Sequence, residues 1–262
     1  MQQIAVWKTN RPERAAEAER ILRRLRELGA EAAVVGEDAS LEHFSALLAL
    51  GGDGTILYAA QAAIRYSIPL AGVNMGRVGF LSACDSAQDG FLRSLAAGDY
   101  QVQPTPLLQY TAQTEADAPA QGICVNDIVI AAVSHSHTAD ITVSSDFGEL
   151  QYRGDGVIFS LPNGSTAYNY AAGGAVMVPG LEAVAVTPIA PHKGTVRSVI
   201  FPIQTAFQVS IRGSAALYAD GREVLLPPKC SNAAILLSDC VLQRITFEGK
   251  PFLQKLTDKL WQ

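Results

Sequence analysis

The sequence predicts two domains of different class: an N-terminal open parallel α/β domain and a C-terminal all-β domain, a β-sandwich. Up to Gly98, short apolar runs alternate with stretches of helical period, which is typical of a parallel sheet with right-handed crossovers. From Tyr100 onwards, short runs of alternating hydrophobicity lie between clusters of Gly, Pro, Asp and Asn, which is typical of a sandwich. The tail, PFLQKLTDKLWQ, has helical period, and we expect it to pack back on the first domain. The predicted domains are residues 1–99 plus about 248–262, and residues 100–247.

The elements of the first domain follow from its apolar pattern. A helix that begins near Pro12 carries apolar residues three and four apart and ends at Gly29, where a helix commonly stops. The run FSALLAL is apolar throughout, as expected of a strand that is covered on both faces. In order, we predict strand IAVW (4–7), the Pro12 helix, strands AAVV (32–35) and FSALLAL (44–50), a helix from about Thr55 to Tyr66, strand PLAGVN (69–74), and a helix from about Ser86 to Ala97 that ends at Gly98.

The second domain is predicted to consist of short strands, interrupted only by YNYAAGGAVM (168–177), which has helical character. The predicted strands are LLQYTAQ (107–113), CVNDIVIAA (124–132), ADITVSS (139–145), DGVIFSL (155–161), VAVTPIA (184–190), FQVSIRG (207–213), AILLS (234–238) and VLQRITF (241–247).

Composition and charge exclude several classes of function. The net charge is −5 and the isoelectric point about 5.4, so broad electrostatic attraction to nucleic acid or to an anionic membrane is not expected. No uncharged apolar stretch approaches the ~20 residues of a membrane span, and MQQIAVWKTN lacks the apolar core of a signal peptide. The four cysteines show no metal-ligand spacing and are expected to be reduced. We therefore expect a cytoplasmic protein with no nucleic-acid or membrane partner.

A glycine-rich turn, GGDGT (51–55), joins a predicted strand to a predicted helix. Gly51, Gly52 and Gly54 can take positive φ and let a ligand approach the main chain, and the helix N-terminus favours an anion. The negative charge of Asp53 is unexpected in a simple phosphate-binding turn. Its carboxylate could instead ligate the Mg²⁺ of a nucleotide or accept a proton from an attacking hydroxyl. The alternative is that Asp53 only caps the helix and the glycines only make the turn.

The next predicted strand ends in a second glycine turn, GVNMGRVGFL (72–81). Two neighbouring strand ends that open into glycine-rich turns favour a polyphosphate groove. Arg77 could neutralise phosphate charge there, or it could simply be an exposed side chain on a turn. Neither turn contains a Walker or Rossmann signature, because no Lys follows the first set of glycines and position 74 is Asn.

The β domain places Asn126 and Asp127 inside an otherwise apolar predicted strand. A buried pair without partners is costly, so the pair is expected either to be hydrogen-bonded internally or to face a polar ligand such as ribose hydroxyls. The alternative is a turn at a strand end.

The run YRGDGVIFSLPNGSTAYNYAAGG (152–174) offers Tyr168 for stacking on a base. We reject Ser165 as a nucleophile, because the G-x-S-x-G pattern is absent and no His lies nearby in the sequence. His135 and His137 would share a strand face, but an exposed strand edge is favoured over a metal site. His192 is at most adjacent to the site.

These motifs together resemble the NAD kinase family over nearly the whole chain. The matching features are GGDGT, the turn from Gly72 to Leu81, the pair Asn126-Asp127, and the run from Asp155 to Gly174 that contains GSTAY. The resemblance implies transfer of the terminal phosphate of ATP, or of polyphosphate, to the 2′-hydroxyl on the adenosine side of NAD, giving NADP. It also implies Mg²⁺ as the divalent metal with ATP, to which no protein ligand is assigned, and a homodimer or homotetramer.

The resemblance assigns roles residue by residue. Asp53 would be the proton acceptor or orienting base, and Asn126 and Asp127 would hold the ribose. Asp155 and Arg153 would meet the nicotinamide end, and Ala190 would line the pocket. The implied NAD-binding residues are Gly54, Phe80, Asn126, Asp127, Arg153, Asp155, Asn163, Thr166, Ala167, Tyr168, Ala171 and Ala190. The implied residues for the phosphate donor are Gly51, Gly52, Thr55, Asn74, Gly76 and Arg77.

The chain departs from the family pattern at three of these positions. Asp127 stands where Glu is usual, Asn163 replaces Thr, and Ala171 lies where a Ser often contributes a hydroxyl. Two alternatives to an NAD kinase share part of this pattern. A lipid kinase of the diacylglycerol kinase type shares GGDGT but gives no reason for the GSTAY run. A catalytically silent NAD-binding regulator would not need an intact Asp53.

Overall fold

The computed structural model describes the chain except residues 8–11, 76–78, 85–87, 114–117, 134–137, 213–214, 225–231, 248–249 and 262. Its contacts divide the chain into two compact units. Unit 1 contains Met1–Thr105 and Val241–Gln262, and unit 2 contains Pro106–Cys240.

Unit 1 is the predicted α/β domain. Its elements are β1 (Gln3–Trp7), α1 (Pro12–Glu27), β2 (Glu31–Val35), β3 (Ala46–Leu50), α2 (Asp53–Arg65), β4 (Leu70–Val73), α3 (Asp89–Ala97) and the start of β5 (Gln101–Ala112). The strands pair in parallel in the order β2-β1-β3-β4. The predicted helix stops are confirmed at Gly29 and Gly98, which both adopt left-handed backbone with φ of 87° and 74°.

The core of unit 1 lies on both faces of this sheet, as the apolar run of β3 predicted. Ile4 and Val6 pack with Ile21 of α1 and Leu92 of α3 in one cluster. Trp7, whose side chain points to the opposite face because neighbouring strand residues alternate, lies with its ring centroid 5.9 Å from that of Tyr58 in α2. Helices therefore cover both faces, and the strand ends are left free to open into turns.

Unit 2 is an antiparallel sandwich, as predicted. Its elements are the remainder of β5, β6 (Ala120–Cys124), β7 (Asp127–Ala132), β8 (Ala139–Ser145), β9 (Gly148–Gly154), β10 (Gly156–Ser160), a 3-10 turn (Gly164–Thr166), α4 (Tyr168–Ala171), β11 (Ala183–Ile189), β12 (Val199–Pro202), β13 (Phe207–Arg212), β14 (Ala215–Ala219), β15 (Arg222–Glu223) and most of β16 (Asn232–Thr246). One sheet has the order β12-β11-β10-β7-β14-β15, and the other contains β16, β13, β8 and β9. Their inner faces share one apolar core, in which the rings of Phe159 and Phe207 lie 5.2 Å apart.

The strand β16 continues into unit 1, where Arg244 lies opposite Leu70 of β4 in parallel register. The chain then forms the predicted C-terminal helix, α5 (Phe252–Leu260). This helix packs on the first domain, since the ring of Phe252 lies 5.9 Å from that of Phe80 within unit 1. Leu256 is its buried residue.

Candidate active site

Asp53 is the first residue of α2, directly after the carboxyl end of β3. Its carboxylate accepts hydrogen bonds from the main-chain N–H groups of Phe80, at 3.2 Å from Oδ2, and Leu81, at 3.1 Å from Oδ1. Lys259 of α5 donates a third, with Nζ 2.7 Å from Oδ2. The carboxylate is therefore fixed in place by the second glycine turn and by the C-terminal helix.

The alternative that Asp53 caps its own helix is wrong. Gly52 occupies the N-cap, and no side chain caps the first turn. The helix also begins at Asp53 rather than at Thr55 as predicted. Because Asp53 bonds to the turn at 80–81, its carboxylate is directed away from the capping position.

Gly52 and Gly54 of the first turn are open, but not through the conformation that we predicted, whereas Gly51 is buried. Gly52 has an ordinary φ of −84° rather than a positive one, and Gly54 is not left-handed either. A Cβ added at either residue would meet nothing within 4 Å, so the main chain there is accessible to a ligand. The turn is tied to the adjacent strand by the bond from the N–H of Gly51 to the carbonyl of Val73.

The second glycine turn supplies the groups that hold Asp53. Gly79 approaches the carboxylate closely, since an added Cβ would lie 2.6 Å from Oδ1, so a larger residue would displace Asp53. Asn74 is buried, and its N–H donates to the carbonyl of Cys84 at 3.0 Å. Gly76 and Arg77, which were predicted to contact the phosphate donor, lie outside the described residues.

Positive charge surrounds the Asp53 carboxylate. Besides Lys259, Arg244 of β16 is near enough to interact electrostatically with it: burial lowers the pKa of Arg244, while the charge of Asp53 raises it. The N-terminus of α2 adds a partial positive charge. Two cations and a helix N-terminus around one carboxylate leave a positive balance that favours an anionic ligand.

In unit 2, the prediction that Asn126 and Asp127 lie inside one strand is wrong. Residues 125 and 126 form a bend between β6 and β7, and Asp127 is the first residue of β7. The alternative of a strand-end turn is therefore the correct one, although both side chains are buried. The apolar residues on both sides of the pair favoured one continuous strand and concealed this break.

A residue that the sequence analysis did not single out, Asp220, holds this bend in place. Its carboxylate accepts the main-chain N–H of Val125 at 3.0 and 3.1 Å, that of Asn126 at 2.7 Å, and that of Asp127. Consecutive N–H groups that converge on one anion form a nest. The signal in the sequence is the Asp-Gly pair of LYADGRE (217–223), one of the turn clusters between the predicted strands.

The two carboxyl groups of this bend perturb each other. Burial, and secondarily the charge of Asp220, raise the pKa of Asp127 to about 7. Burial also raises the pKa of Asp220, against the stabilising effect of the three N–H groups and of Arg222. Near neutral pH, the Asp127 carboxyl group is therefore able to donate as well as accept a hydrogen bond.

Asn126 presents an unsatisfied acceptor. Its Oδ1 is buried and, among the described residues, finds no hydrogen-bond partner. Leaving a buried acceptor unpaired costs about 1–3 kcal/mol, which a hydroxyl group of a ligand would recover. The bend thus carries a buried amide oxygen and a buried carboxyl group on consecutive residues.

The GSTAY run lies directly against this bend. The N–H of Leu161 donates to the carbonyl of Asn126 at 2.9 Å, and Gly164 packs so closely that an added Cβ would collide with the main chain of Asn126. Gly164–Thr166 form the 3-10 turn, preceded by the half-buried Asn163. The structure therefore brings together two motifs that are nearly 40 residues apart in the sequence.

Ser165 has a structural position in this run. It is fully buried, and its hydroxyl donates to the carbonyl of Pro162 at 2.7 Å and accepts the N–H of Met177 at 3.0 Å. Asn169 acts similarly: its Nδ2 donates to the carbonyls of Ser165 and Ala175, at 3.1 and 3.0 Å. These bonds fix the run while leaving the side chain of Tyr168 46% exposed.

The other predicted NAD residues of the run differ in exposure. Thr166 is buried, whereas Ala167 and Ala171 are exposed beside Tyr168. The exposed side chains are therefore those of positions 167, 168 and 171.

The two residues predicted for the nicotinamide end, and Ala190, which was predicted to line the pocket, lie at one end of β9, β10 and β11. Asp155 is exposed, and its N–H donates to the carbonyl of Ile189 at 2.9 Å. Ala190 follows with a left-handed φ of 41°. Arg153 is exposed and pairs with Asp140 at 3.0 Å, and its carbonyl accepts the N–H of His192 at 2.8 Å.

The described part of the chain shows neither a cluster of metal-binding side chains nor a helix that could span a membrane. It contains no group of three or more His, Cys, Asp or Glu side chains that could hold a metal ion. His135 and His137 lie outside the described residues. No helix within the described ranges is both long and apolar enough to span a bilayer.

Comparison with known proteins identifies the family. Residues 6–100 match the ATP-NAD kinase N-terminal domain, and residues 125–246 match the ATP-NAD kinase C-terminal domain. The NAD kinase of Natranaerobius thermophilus is 31% identical over 238 residues, which is 89% of this chain and 83% of that protein. That of Mycolicibacterium paratuberculosis is 33% identical over 241 residues, 90% of this chain and 78% of that protein.

Solved structures agree with this assignment. The NAD kinase from Archaeoglobus fulgidus in complex with ATP superposes with a TM-score of 0.80 at 25% identity, covering 98% of this chain and 99% of the other. The yeast NADH kinase complexed with NADH has a TM-score of 0.84 at 19% identity, covering 100% and 88%, and so supports the fold alone. The chain belongs to the ATP-NAD kinase family.

Proposed function

We propose that this chain transfers the terminal phosphate of ATP to the 2′-hydroxyl on the adenosine ribose of NAD, giving NADP and ADP, with Asp53 as the base. In this reaction the 2′-oxygen forms a bond to the γ-phosphorus, and the bond from that phosphorus to the β,γ-bridging oxygen breaks. The electron pair of the broken bond leaves with ADP, and the hydroxyl proton passes to the Asp53 carboxylate.

The observation that carries this proposal is the Asp53 carboxylate itself. It is held by two main-chain N–H groups beside open glycines, at a strand-to-helix junction with a positive electrostatic balance. Phosphoryl transfer depends mostly on positioning and on charge neutralisation. A fixed carboxylate beside an anion-favouring helix N-terminus provides both.

For the donor phosphates, we propose the main chain of the first glycine turn, with Gly51, Gly52 and Thr55, together with Asn74. The openness of Gly52 supports this, because a phosphate oxygen can approach its main chain without a side chain in the way. Gly76 and Arg77 retain their predicted donor role as part of this proposal.

For the acceptor, we propose that Asn126 and Asp127 bind ribose hydroxyls and that Tyr168 stacks on a base. The unpaired Oδ1 of Asn126 and the exposed Tyr168 ring support these roles. Gly54, Asn163, Thr166, Ala167 and Ala171 are proposed to complete the NAD site. Arg153 and Asp155 are proposed to lie at the nicotinamide end, and Ala190 to line the pocket. The contact of Phe80 with a base stays a prediction, since its ring here packs against Phe252 and Lys259.

Mg²⁺ is the proposed metal, arriving with ATP. Mg²⁺ usually takes one or two protein carboxylates plus substrate phosphates. Asp53 is a single carboxylate, and the described residues form no acidic cluster around it, so the donor set fits an ion held mainly by phosphates rather than by a protein cage. When bound, the ion would neutralise phosphate charge.

Three further properties belong to this proposal. Polyphosphate is an alternative donor, because a site built from main-chain N–H groups recognises phosphates rather than adenine. A homodimer or homotetramer is supported by the exposed apolar side chains of Val199 and Ile200 on the edge strand β12. A cytoplasmic location is supported by the free thiols of Cys84, Cys124 and Cys240.

The direct test incubates the purified protein with ATP, Mg²⁺ and NAD, and detects NADP with an NADP-specific dehydrogenase. We expect NADP to form in proportion to enzyme. Parallel reactions offer diacylglycerol instead of NAD. Phosphatidate without NADP would identify a lipid kinase, and tight NAD binding without any product would identify a silent regulator, so either result would overturn the proposal.

A further inference from the structure

Lys259 lies against Asp53 in a way that the proposed roles above do not use. Its Nζ is 2.7 Å from Oδ2 of Asp53 and 4.5 Å from the centroid of the Phe80 ring. The two side chains of the ion pair are only 29% and 25% exposed. A cation placed over an aromatic face is held by the ring as well as by the carboxylate, so the ammonium group has two separate anchors.

The helix that carries Lys259 is itself fixed to unit 1. Leu256, one turn before, is buried, and Phe252 at the start of α5 packs on Phe80. Phe80 therefore makes three contacts. Its N–H donates to Asp53, its ring packs against Phe252 of α5, and the Lys259 ammonium lies over the face of that ring. The C-terminal helix and the base are coupled through this one residue.

The acceptor positions of Asp53 are unequally occupied. A carboxylate has two lone-pair positions on each oxygen. Among the described residues, Oδ2 receives both the N–H of Phe80 and the Nζ of Lys259, so its two positions are filled. Within the same described ranges, Oδ1 receives the N–H of Leu81 alone and keeps one position. Oδ1 is therefore the oxygen that remains for a substrate hydroxyl.

We infer that Lys259 is a positioning residue: by engaging Oδ2, it fixes the orientation of the Asp53 carboxylate and leaves Oδ1 to receive the proton of the hydroxyl. This inference rests on the proposed function. A partly exposed lysine–carboxylate pair contributes only modestly to stability, so the main effect of this pair is on the orientation of the carboxylate. Because Lys259 acts on Asp53 and not on either substrate, its loss should lower kcat and leave KM nearly unchanged.

The kinetic test compares Lys259→Met with wild type. We expect kcat to fall at least ~10-fold, since small misplacements of a reacting group are costly, with KM for ATP and NAD within about threefold. Lys259→Arg keeps a cation and should recover part of the loss. Lys250→Met is the matched control. It removes an ammonium group that pairs with Asp258 of α5 at 2.9 Å, and it should leave kcat and KM unchanged.

The double variant shows whether Lys259 acts through Asp53. In an Asp53→Asn background, Lys259→Met should cause no further loss of kcat, because the group that it positions is already gone. An equal loss in both backgrounds would overturn the inference. So would a raised KM for ATP with unchanged kcat, which would instead place Lys259 on the donor phosphates.

A readout without turnover completes the design. Thermal unfolding of wild type, both single variants and the double variant should give a Tm change for the double variant that differs from the sum of the single changes, as contacting residues do. Additive shifts would contradict the contact. A wild type that forms no NADP would overturn the proposed function and with it this role, whereas NADP formation with unchanged Lys259→Met kinetics would overturn the inference alone.

Discussion

Asp127 and Asp220 are joined through their main chains as well as through their charges. The N–H of Asp220 donates to the carbonyl of Asp127 at 3.0 Å, and the N–H of Asp127 donates back to the Asp220 carboxylate. Both side chains are carboxyl groups, so this link places like charges together in a buried bend. We therefore expect the free energy of unfolding to depend on pH through these two groups.

Substitution of Asp127 by Asn should remove a pH dependence of stability. The folded-state pKa of Asp127 is about 7, raised by burial and then by Asp220, against about 4 in an unfolded chain. The protonated form is therefore favoured by folding, so its stabilising contribution is full below about pH 4 and is lost as the pH rises towards 7. Over that range the loss is on the order of a few kcal/mol.

Urea unfolding at several pH values between 5 and 8 measures this. The free energy of unfolding of wild type should fall relative to that of Asp127→Asn as the pH rises. Above about pH 8, the difference between the two proteins should stay constant. The groups that face Asp127 are Asp220 and Cys124, with Arg222 acting on Asp220. Asp146→Asn, in an exposed turn, is the control, and a pH profile for Asp127→Asn equal to that of wild type would contradict the assignment.

Substitution of Asp220 by Ala should destabilise unit 2 by at least ~2 kcal/mol, because the N–H groups of Val125, Asn126 and Asp127 lose their acceptor. The residue also adopts a left-handed φ of 51°, which Asn tolerates better than Ala. Asp220→Asn should therefore retain part of the stability. Chemical denaturation should give a free energy of unfolding that decreases from wild type to Asp220→Asn to Asp220→Ala. Equal values for all three proteins would show that the Asp220 carboxylate does not stabilise the bend.

Substitution of Gly164 by Ala should weaken both folding and NAD binding, because the added methyl group would collide with the main chain of Asn126. We expect a loss of stability of about 1–3 kcal/mol. Gly90→Ala is the control, since Gly90 lies in α3 with nothing within 4 Å of the added carbon, and this change should be neutral or stabilising. Calorimetric titration with NAD and thermal unfolding measure the two effects, and an unaltered Gly164→Ala protein would argue against the packing.

Substitution of Tyr168 by Ala should weaken NAD binding by about 1–2 kcal/mol through loss of ring contact. The ring is exposed, so stability should change little. Tyr168→Phe keeps the ring and should bind NAD nearly as wild type does. Isothermal titration calorimetry measures the affinity of each protein for NAD. Equal affinities of Tyr168→Ala and wild type would show that Tyr168 does not contact NAD.

The sequence predicted those features that have a local signal. Pro12, Gly29 and Gly98 marked helix ends, and the apolar run 44–50 marked a strand covered on both faces. The junction of strand and helix at GGDGT was also predictable, since a change of hydrophobic period and a glycine cluster coincide there.

The partners of the site were not predictable, because they depend on contacts between distant parts of the chain. Lys259 lies 206 residues after Asp53, and Asp220 lies 94 residues after Asn126. Neither contact leaves a periodic pattern in the sequence. The break at Asn126 was missed for a related reason: the bend is stabilised by Asp220 rather than by its own turn residues, so the flanking apolar residues indicated one continuous strand.

The measurement that tests the central claim most directly is the turnover of Asp53→Asn. This variant preserves the shape of the side chain but replaces the proton-accepting carboxylate with an amide. We expect kcat for NADP formation to fall at least ~10²-fold, the contribution of a positioned base, while NAD still binds with nearly wild-type affinity by calorimetry. Turnover of Asp53→Asn within a few-fold of wild type would contradict the assignment of Asp53 as the base.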